Sequence, residues 1–395
     1  MAFSLAFDSS ALLPGFKEHA ARGIGRYVAG LKGFFDSHPD PEISVSYFDH
    51  AEVIGGSVLS SLIDRLPAGR QTVKQQLFYP FSLNRGVPGR SDLIHFPAHM
   101  DAPSWSSRPF AVTVLDLIPL VLENLYRPAM PGWRFRLARF LENRAIRSAR
   151  HVIAISESTA RDVQRILGVP AERISVTPLG VDKRFFKTEF SPSEIADFRL
   201  SYKIAADAPV VLYVGGIDQR KNTAGLLSVF AEVLIHFKQR SGPLPVLFVA
   251  GRIEQDRQYP SFKARVAALG LEDFVKTPGY LSDKELLKVY AASSVFFFPS
   301  LYEGFGLPPL EAMAGGLPVV SSNTSAMPEV IGDAGAMFNP DSPQEAVREI
   351  IEIIQNRDYS LALAEKGRRR AGLFSWERTG EKTYEAYRRA LKSGA

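Results

Sequence analysis

The 395-residue chain contains no cysteine. That absence removes a disulfide framework, a thiolate metal site and a cysteine nucleophile, and it fits a reducing compartment. No apolar run nears the roughly 18 to 20 residues a membrane-spanning helix needs. The opening MAFSLAFDSSALL lacks a basic leader and meets Asp8 early. A soluble, cytoplasmic protein is the expectation. Low-complexity tracts, repeats of solenoid period and recognised nucleic-acid modules are all missing, so nucleic acid is not an expected partner. Metal-ligand clusters are missing as well. His95 and His99 stand four apart in IHFPAHMD, but Pro97 disfavours the helix that would align them and no third ligand is near. No metal is expected, and these histidines either line a cleft in the N-terminal half or pack there.

With 46% hydrophobic and 23% charged residues, the chain is long enough for two cores of ordinary domain size. The formal net charge of +5 suits an anionic partner without naming one. Between Arg127 and Arg150, seven arginines alternate with Trp133, Phe135, Leu137, Phe140, Leu141 and Ile146. This reads as a basic amphipathic helix, either lying on an anionic lipid surface or packing its apolar stripe on its own domain.

Short β-rich apolar runs recur, each followed by turn residues and a helical segment. FSLAF, DLIHF, FAVTVLDLI, HVIAIS and ISVTPLG come first; VVLYVGG, VLFVAG, VFFFPS and LPVVSS come later. The pattern runs twice, which predicts an α/β chain of two doubly wound parallel-sheet domains. The break falls in PLGVDKRFFKTEFSPSE, giving domains 1–185 and 186–375. A terminal amphipathic helix, 376–395, carries Trp376, Tyr384 and Tyr387.

In open parallel sheets ligands gather beyond the carboxyl ends of strands, and three second-half loops there are chemically distinctive. In VLYVGGIDQRKN, Gly215 and Gly216 allow close approach to the backbone, and Arg220 and Lys221 suit a pyrophosphate or are simply solvated turn charges. In SLYEGFGLPPLE, Glu303 stands at a strand end and Gly304, Phe305, Gly306 and Leu307 lead into a helix whose first turn should hold Glu311. Helix-start amides favour phosphate, and each carboxylate can accept paired sugar hydroxyls; the plainer alternatives are a dipole complement and a solvent-facing carboxylate. In TPGYLSDKE, backbone groups at Gly279, Tyr280 and Leu281 could read a nucleobase edge, although Ser282 and Glu285 already explain the turn as a capping box.

EGFGLPPLEAMAGGLPVV and PEVIGDAG, with ARGIGRYVAGL, TVLDLIPL, AISESTARDV, TPLGVDKRF and YVGGIDQRKN in order, resemble the retaining glycosyltransferases of the GT-B fold, glycosyltransferase family 4. The GIGRY, DLIPL and RKN versions look most like bacterial mannosyltransferases of surface polysaccharide synthesis. The resemblance implies two Rossmann-like domains facing a cleft, with the C-terminal helix crossing back to the first. It implies catalytic roles for Glu303, Lys221, Arg220 and Asp116. Donor contacts would come from Gly23, Gly25, Gly216, Tyr280, Leu281, Phe305, Gly306, Leu307 and Glu311, with His99 and Asp101 on the acceptor side.

The implied activity is metal-independent transfer of a hexose, mannose from GDP-mannose, to a lipid-linked or oligosaccharide acceptor, at the cytoplasmic face of an inner membrane. A UDP-sugar donor and a non-catalytic donor-binding subunit are the alternatives. The chain departs from the family pattern at Leu115, where histidine is usual, at Gly216, where arginine is usual, and at Arg22-Gly23. Arg220 or Arg252 would then supply the cation.

Overall fold

The computed structural model describes residues 3–14, 23–49, 53, 83, 87, 91–126 and 133–392. Two compact units divide the chain: Met1–Gly180 with Ser375–Ala395, and Val181–Phe374. Each is built on one six-stranded sheet whose strand pairs are parallel. The two parallel-sheet domains expected from the repeated strand pattern are therefore present.

In the first unit the strands are β1 (Phe3–Asp8), β2 (Ile43–Phe48), β3 (Leu93–Phe96), β4 (Phe110–Val114), β5 (His151–Ala154) and β6 (Ile174–Val176), in the spatial order β2-β1-β3-β4-β5-β6. The longer helices between them are α1 (Gly23–Ser37), α2 (Trp133–Ser148) and α3 (Glu157–Leu167). Strands β3, β4 and β5 are buried along their whole length because helices cover both faces of a parallel sheet. Ile94, Phe96, Val112, Val152 and Ala154 join Ala145, Ile146 and Val163 in one core.

In the second unit the strands are β7 (Val210–Val214), β8 (Val246–Ala250), β9 (Val275–Gly279), β10 (Val295–Phe298), β11 (Val319–Ser322) and β12 (Ala336–Phe338), in the order β12-β11-β10-β7-β8-β9. Pro278 lies in β9, an edge strand, where a missing N–H is tolerated. The longer helices are α4 (Pro192–Ser201), α5 (Thr223–Lys238), α6 (Tyr259–Ala268), α7 (Asp283–Ala292), α8 (Leu307–Ala314), α9 (Pro343–Gln355) and α10 (Arg357–Ala371). Strand order reverses between β7 and β10, and the loops leaving those two strands are the ones that carry Lys221 and Glu303.

The last helix, α11 (Trp376–Lys392), belongs to the first unit. It meets α1 through small residues opposite large rings: a Cβ on Gly30 would lie 2.4 Å from the Trp376 ring, and one on Gly380 would lie 2.0 Å from Phe34. Tyr387 then reaches the sheet, its hydroxyl 2.7 Å from His95 Nδ1, while His95 Nε2 is 2.8 Å from Thr113 Oγ1. Burial lowers the His95 pKa to about 3, so the imidazole is neutral and packs in the core. His99 opens a buried 3-10 turn, His99–Asp101, directly after β3. The stretch 127–132 of the arginine-rich segment and Arg22 lie outside the described residues. No described helix is long and apolar enough to cross a membrane.

Candidate functional site

The loop after β7 makes two tight turns. Asp218 caps the 3-10 turn Gln219–Lys221, its Oδ1 accepting the Arg220 amide at 3.2 Å. Asn222, left-handed at φ +52°, then caps α5 by accepting the Gly225 amide at 3.2 Å. The loop after β10 is tied to this one by the backbone, since the Leu301 amide donates to the Arg220 carbonyl at 2.7 Å.

Glu303 is the meeting point. Its Oε1 accepts from Lys221 Nζ at 2.7 Å, Arg220 Nη1 at 2.8 Å and Ser300 Oγ at 2.6 Å. Among the described residues no donor reaches Oε2, which leaves that oxygen for an incoming hydroxyl. The Glu303 amide donates to Ser325 Oγ at 2.8 Å, fixing the backbone. Glu303 and Lys221 are only 9% and 8% exposed, so neither is a solvated surface charge.

Burial works against the Glu303 carboxylate, but the charges of Lys221 and Arg220, with hydrogen bonds from Lys221 and Ser300, outweigh it and hold its pKa below the ordinary value. The Lys221 pKa is lowered, first by burial and then by the Arg220 charge, with Glu303 pulling the other way. Lys221 Nζ also lies 4.9 Å from the centre of the Phe298 ring.

Helix α8 begins beside this network. Gly306, at φ +110°, is its N-cap, in a conformation that a residue with a Cβ adopts only with strain. Pro308 and Pro309 follow and have no N–H, so among the first three helical residues only Leu307 has an amide to offer an anion. Glu311 is the fifth residue of the helix, which corrects its expected place in the first turn: the prolines start the helix at Leu307. It is buried and accepts the Tyr290 hydroxyl at 3.1 Å. Phe305 is buried too and packs edge-on against Phe374, so its backbone alone is available to a ligand.

The remaining expected donor residues spread along the same strand ends. Gly216 is exposed, its carbonyl accepting the Tyr213 hydroxyl at 2.6 Å. Tyr280 is 63% exposed with the Arg252 guanidinium 4.4 Å from its ring centre, whereas Leu281 is buried. Arg220 lies beside Lys221 on Glu303, whereas the exposed Arg252 rests on the Tyr280 ring. The capping box of Ser282 and Glu285 is formed.

Asp116, Gly23, Gly25, His99 and Asp101 lie in the first unit. Asp116 follows β4 and its Oδ1 accepts the Ile118 amide at 3.1 Å. Gly23 is the exposed first residue of α1 and Gly25 is buried in it. Reading the sequence missed Ser300, Ser325, Tyr213 and Tyr290. Ser300 stands three residues before Glu303 and was within reach of local inspection; Ser325 is twenty-two positions away and carries no local signal. Among the described residues no cluster of three or more His, Asp or Glu could hold a metal ion.

Residues 194–370 match the family model described as glycosyl transferases group 1, and residues 49–185 the one described as glycosyltransferase family 4. The chain is 31% identical over 253 residues to O-antigen chain mannosyltransferase B of Escherichia coli, covering 63% of this chain and 64% of that protein. It is 29% identical over 280 residues to the serotype-specific mannosyltransferase WbdA of the same organism, covering 70% of this chain and 33% of the relative. Both matches span less than two thirds of the relative's length. Among solved structures, sucrose-phosphate synthase from Thermosynechococcus elongatus superposes with a TM-score of 0.72 at 21% identity, covering 100% of each chain.

Proposed function

The chain belongs to the group 1, family 4 glycosyltransferases of the GT-B fold, and from that premise we propose that it is a retaining hexosyltransferase. In this reading it moves mannose from GDP-mannose to a lipid-linked or growing saccharide acceptor in O-antigen-type polysaccharide synthesis. The observation that carries the reading is the convergence of Lys221 and Arg220 on one oxygen of Glu303 beside the start of α8. The mannose assignment is supported by the names of the relatives at 31% and 29% identity.

Charge grows on the leaving diphosphate as the glycosidic bond breaks. Two prearranged cations and the amides of Phe305, Gly306 and Leu307 stabilise that charge with little reorganisation. Glu303 Oε2 accepts hydroxyls of the donor hexose, Glu311 those of the ribose, and Tyr280 and Leu281 border the base. Held ionised by two cations, Glu303 is a poor proton donor, which argues against a glycosidase-like pair of carboxylates. The departing phosphate takes the acceptor's proton on the same face of the sugar, so no protein nucleophile is needed. Lys221 and Arg220 supply the positive charge that a metal would otherwise bring. The reading keeps Asp116 as a catalytic residue, His99 and Asp101 as acceptor-side residues, and Gly23 and Gly25 as donor contacts.

The test is transfer by the purified chain from isotope-labelled GDP-mannose to a lipid-extracted acceptor, with the product anomer read by NMR. An α-mannoside is expected. A β-product would remove the retaining mechanism, and turnover of UDP-sugars alone would reassign the donor. Binding with neither transfer nor donor hydrolysis would make the chain a non-catalytic subunit.

A further inference from the structure

The loop that leaves β11 contains Ser325, whose backbone is left-handed at φ +50°. Among the described residues, Lys203 and Asn222 are the other non-glycine positions with positive φ. Lys203 lies in an exposed turn, and Asn222 is the α5 cap, of a residue type that tolerates this region. Serine is not among the tolerant types, and strain of this kind persists where surrounding contacts impose it. Here those contacts reach the loop that carries Glu303. Thr324 Oγ1 donates to the Ser300 carbonyl at 3.1 Å, and Ser322 Oγ donates to the same oxygen. Ser325 Oγ accepts the Glu303 amide at 2.8 Å. Met327, fully buried, comes up against Gly306. The segment 322–327 therefore grips the turn 300–306 at three points, and Ser325 is the point that holds the Glu303 backbone.

We propose that Ser325 is a positioning residue for Glu303. Its left-handed backbone aims the hydroxyl at the Glu303 amide, and that bond sets where the carboxylate meets the hexose of a nucleotide sugar. Lys221, Arg220 and Ser300 all bind one oxygen, Oε1. A carboxylate held at one oxygen can still swing about it, so the direction of Oε2 is settled by the backbone from which the side chain hangs. A shift of about 1 Å in such a group is enough to cost about a hundredfold in rate. The proposal rests on the transferase reading, in which Oε2 accepts hexose hydroxyls, and adds to it the residue that fixes this contact.

Wild type, Ser325→Ala and Ser325→Gly test it together. Both substitutions remove the acceptor, but glycine also removes the left-handed strain, so Ser325→Gly should unfold at a higher denaturant concentration than Ser325→Ala. Hydrogen exchange of the peptide carrying the Glu303 amide should be faster in both. Calorimetric titration with GDP-mannose, UDP-glucose, GDP and UDP then separates the hexose from the rest of the donor. The nucleotide sugar that the wild type binds should lose at least about tenfold in affinity in both variants, the lower end for a hydrogen bond to a charged group. Its free diphosphate, which has no hexose, should keep most of its affinity. Losses that follow the unfolding midpoints, with Ser325→Gly binding the sugar like the wild type, would make Ser325 a structural residue and overturn the proposal. Unchanged exchange of the Glu303 peptide would overturn it as well, and so would equal losses for nucleotide sugar and free diphosphate. A wild type that binds none of these nucleotide sugars would overturn the transferase reading itself, and the proposal with it.

Discussion

The Lys221 ammonium loses most of its water to sit 2.7 Å from Glu303 Oε1, and Arg220 contributes a second cation to the same oxygen. Removing one partner of a buried ion pair is costly only when the remaining charge is left uncompensated, so Lys221→Met should change unfolding free energy by no more than about 1–2 kcal/mol. Glu303 keeps Arg220 and Ser300 in that variant. A charge-assisted contact to a bound diphosphate is worth about 1.5–3 kcal/mol, so nucleotide affinity should fall by about 10- to 150-fold. Glu303→Gln behaves differently because it removes the carboxylate from the buried Lys221 ammonium, while Arg220 keeps Asp218 at 3.4 Å, at a cost of about 3 kcal/mol. The Glu303 pKa is depressed in the folded state, so its stabilisation is fully present above the ordinary carboxylate pKa and is lost as pH falls through the depressed value. The stability gap between wild type and Glu303→Gln should therefore be flat through neutrality and close only in acid. Urea unfolding across pH with parallel calorimetric titration of GDP reads both variants; equal losses of affinity and stability for Lys221→Met would make it a structural residue.

At the scale of the element, the entry to α8 depends on a backbone conformation that only glycine adopts without strain. Gly306 has φ +110°, and a Cβ there would lie 2.4 Å from Met327 Cε. That methyl is the end of a flexible side chain and can yield, so the strain is mainly in the backbone. Gly306→Ala should cost about 1–3 kcal/mol and weaken nucleotide binding by displacing the Leu307 amide; denaturant midpoints with unchanged affinity would show that the turn relaxes without consequence for the site.

The same helix shows where the sequence was readable. GFGLPP announced a turn and a helix start, but the register that buries Glu311 in the second turn follows from Leu307 being the first helical residue, and this needs the coordinates. Continuous apolar runs such as VFFF made the central strands plain, because both faces of a central strand are covered. β2, with ISVSYF, and β12, with three residues, were missed. Both are edge strands, which need no unbroken apolar run. The pair of Glu303 with Lys221 was foreseen only as two neighbours of one phosphate, not as a direct ion pair, since eighty-two residues separate them.

For the whole molecule, the titratable cores of the two units differ. The first holds His95 and His151, both buried among polar partners; burial lowers their pKa values from 6.5 to about 3 and about 4, with the charges of Arg389 and Arg173 adding to the effect at His151. In the second unit His236 is only half-buried and lies on α5. A histidine with a depressed folded pKa binds its proton more readily in the unfolded chain, so stability declines as pH drops below 6.5 and goes on declining until the folded pKa is reached. At pH 4.5 each of the two buried histidines should cost the first unit about 2–3 kcal/mol, a large share of a domain's usual margin. In the second unit, the ionised Glu303 network still contributes at that pH. The three tryptophans, Trp105, Trp133 and Trp376, all fall in the first unit, so their fluorescence reports that unit alone while far-ultraviolet circular dichroism reports both. Acid titration should therefore give a fluorescence transition at higher pH than the final loss of ellipticity. A single coincident transition would mean that the two units unfold as one and that the buried histidines do not set the order.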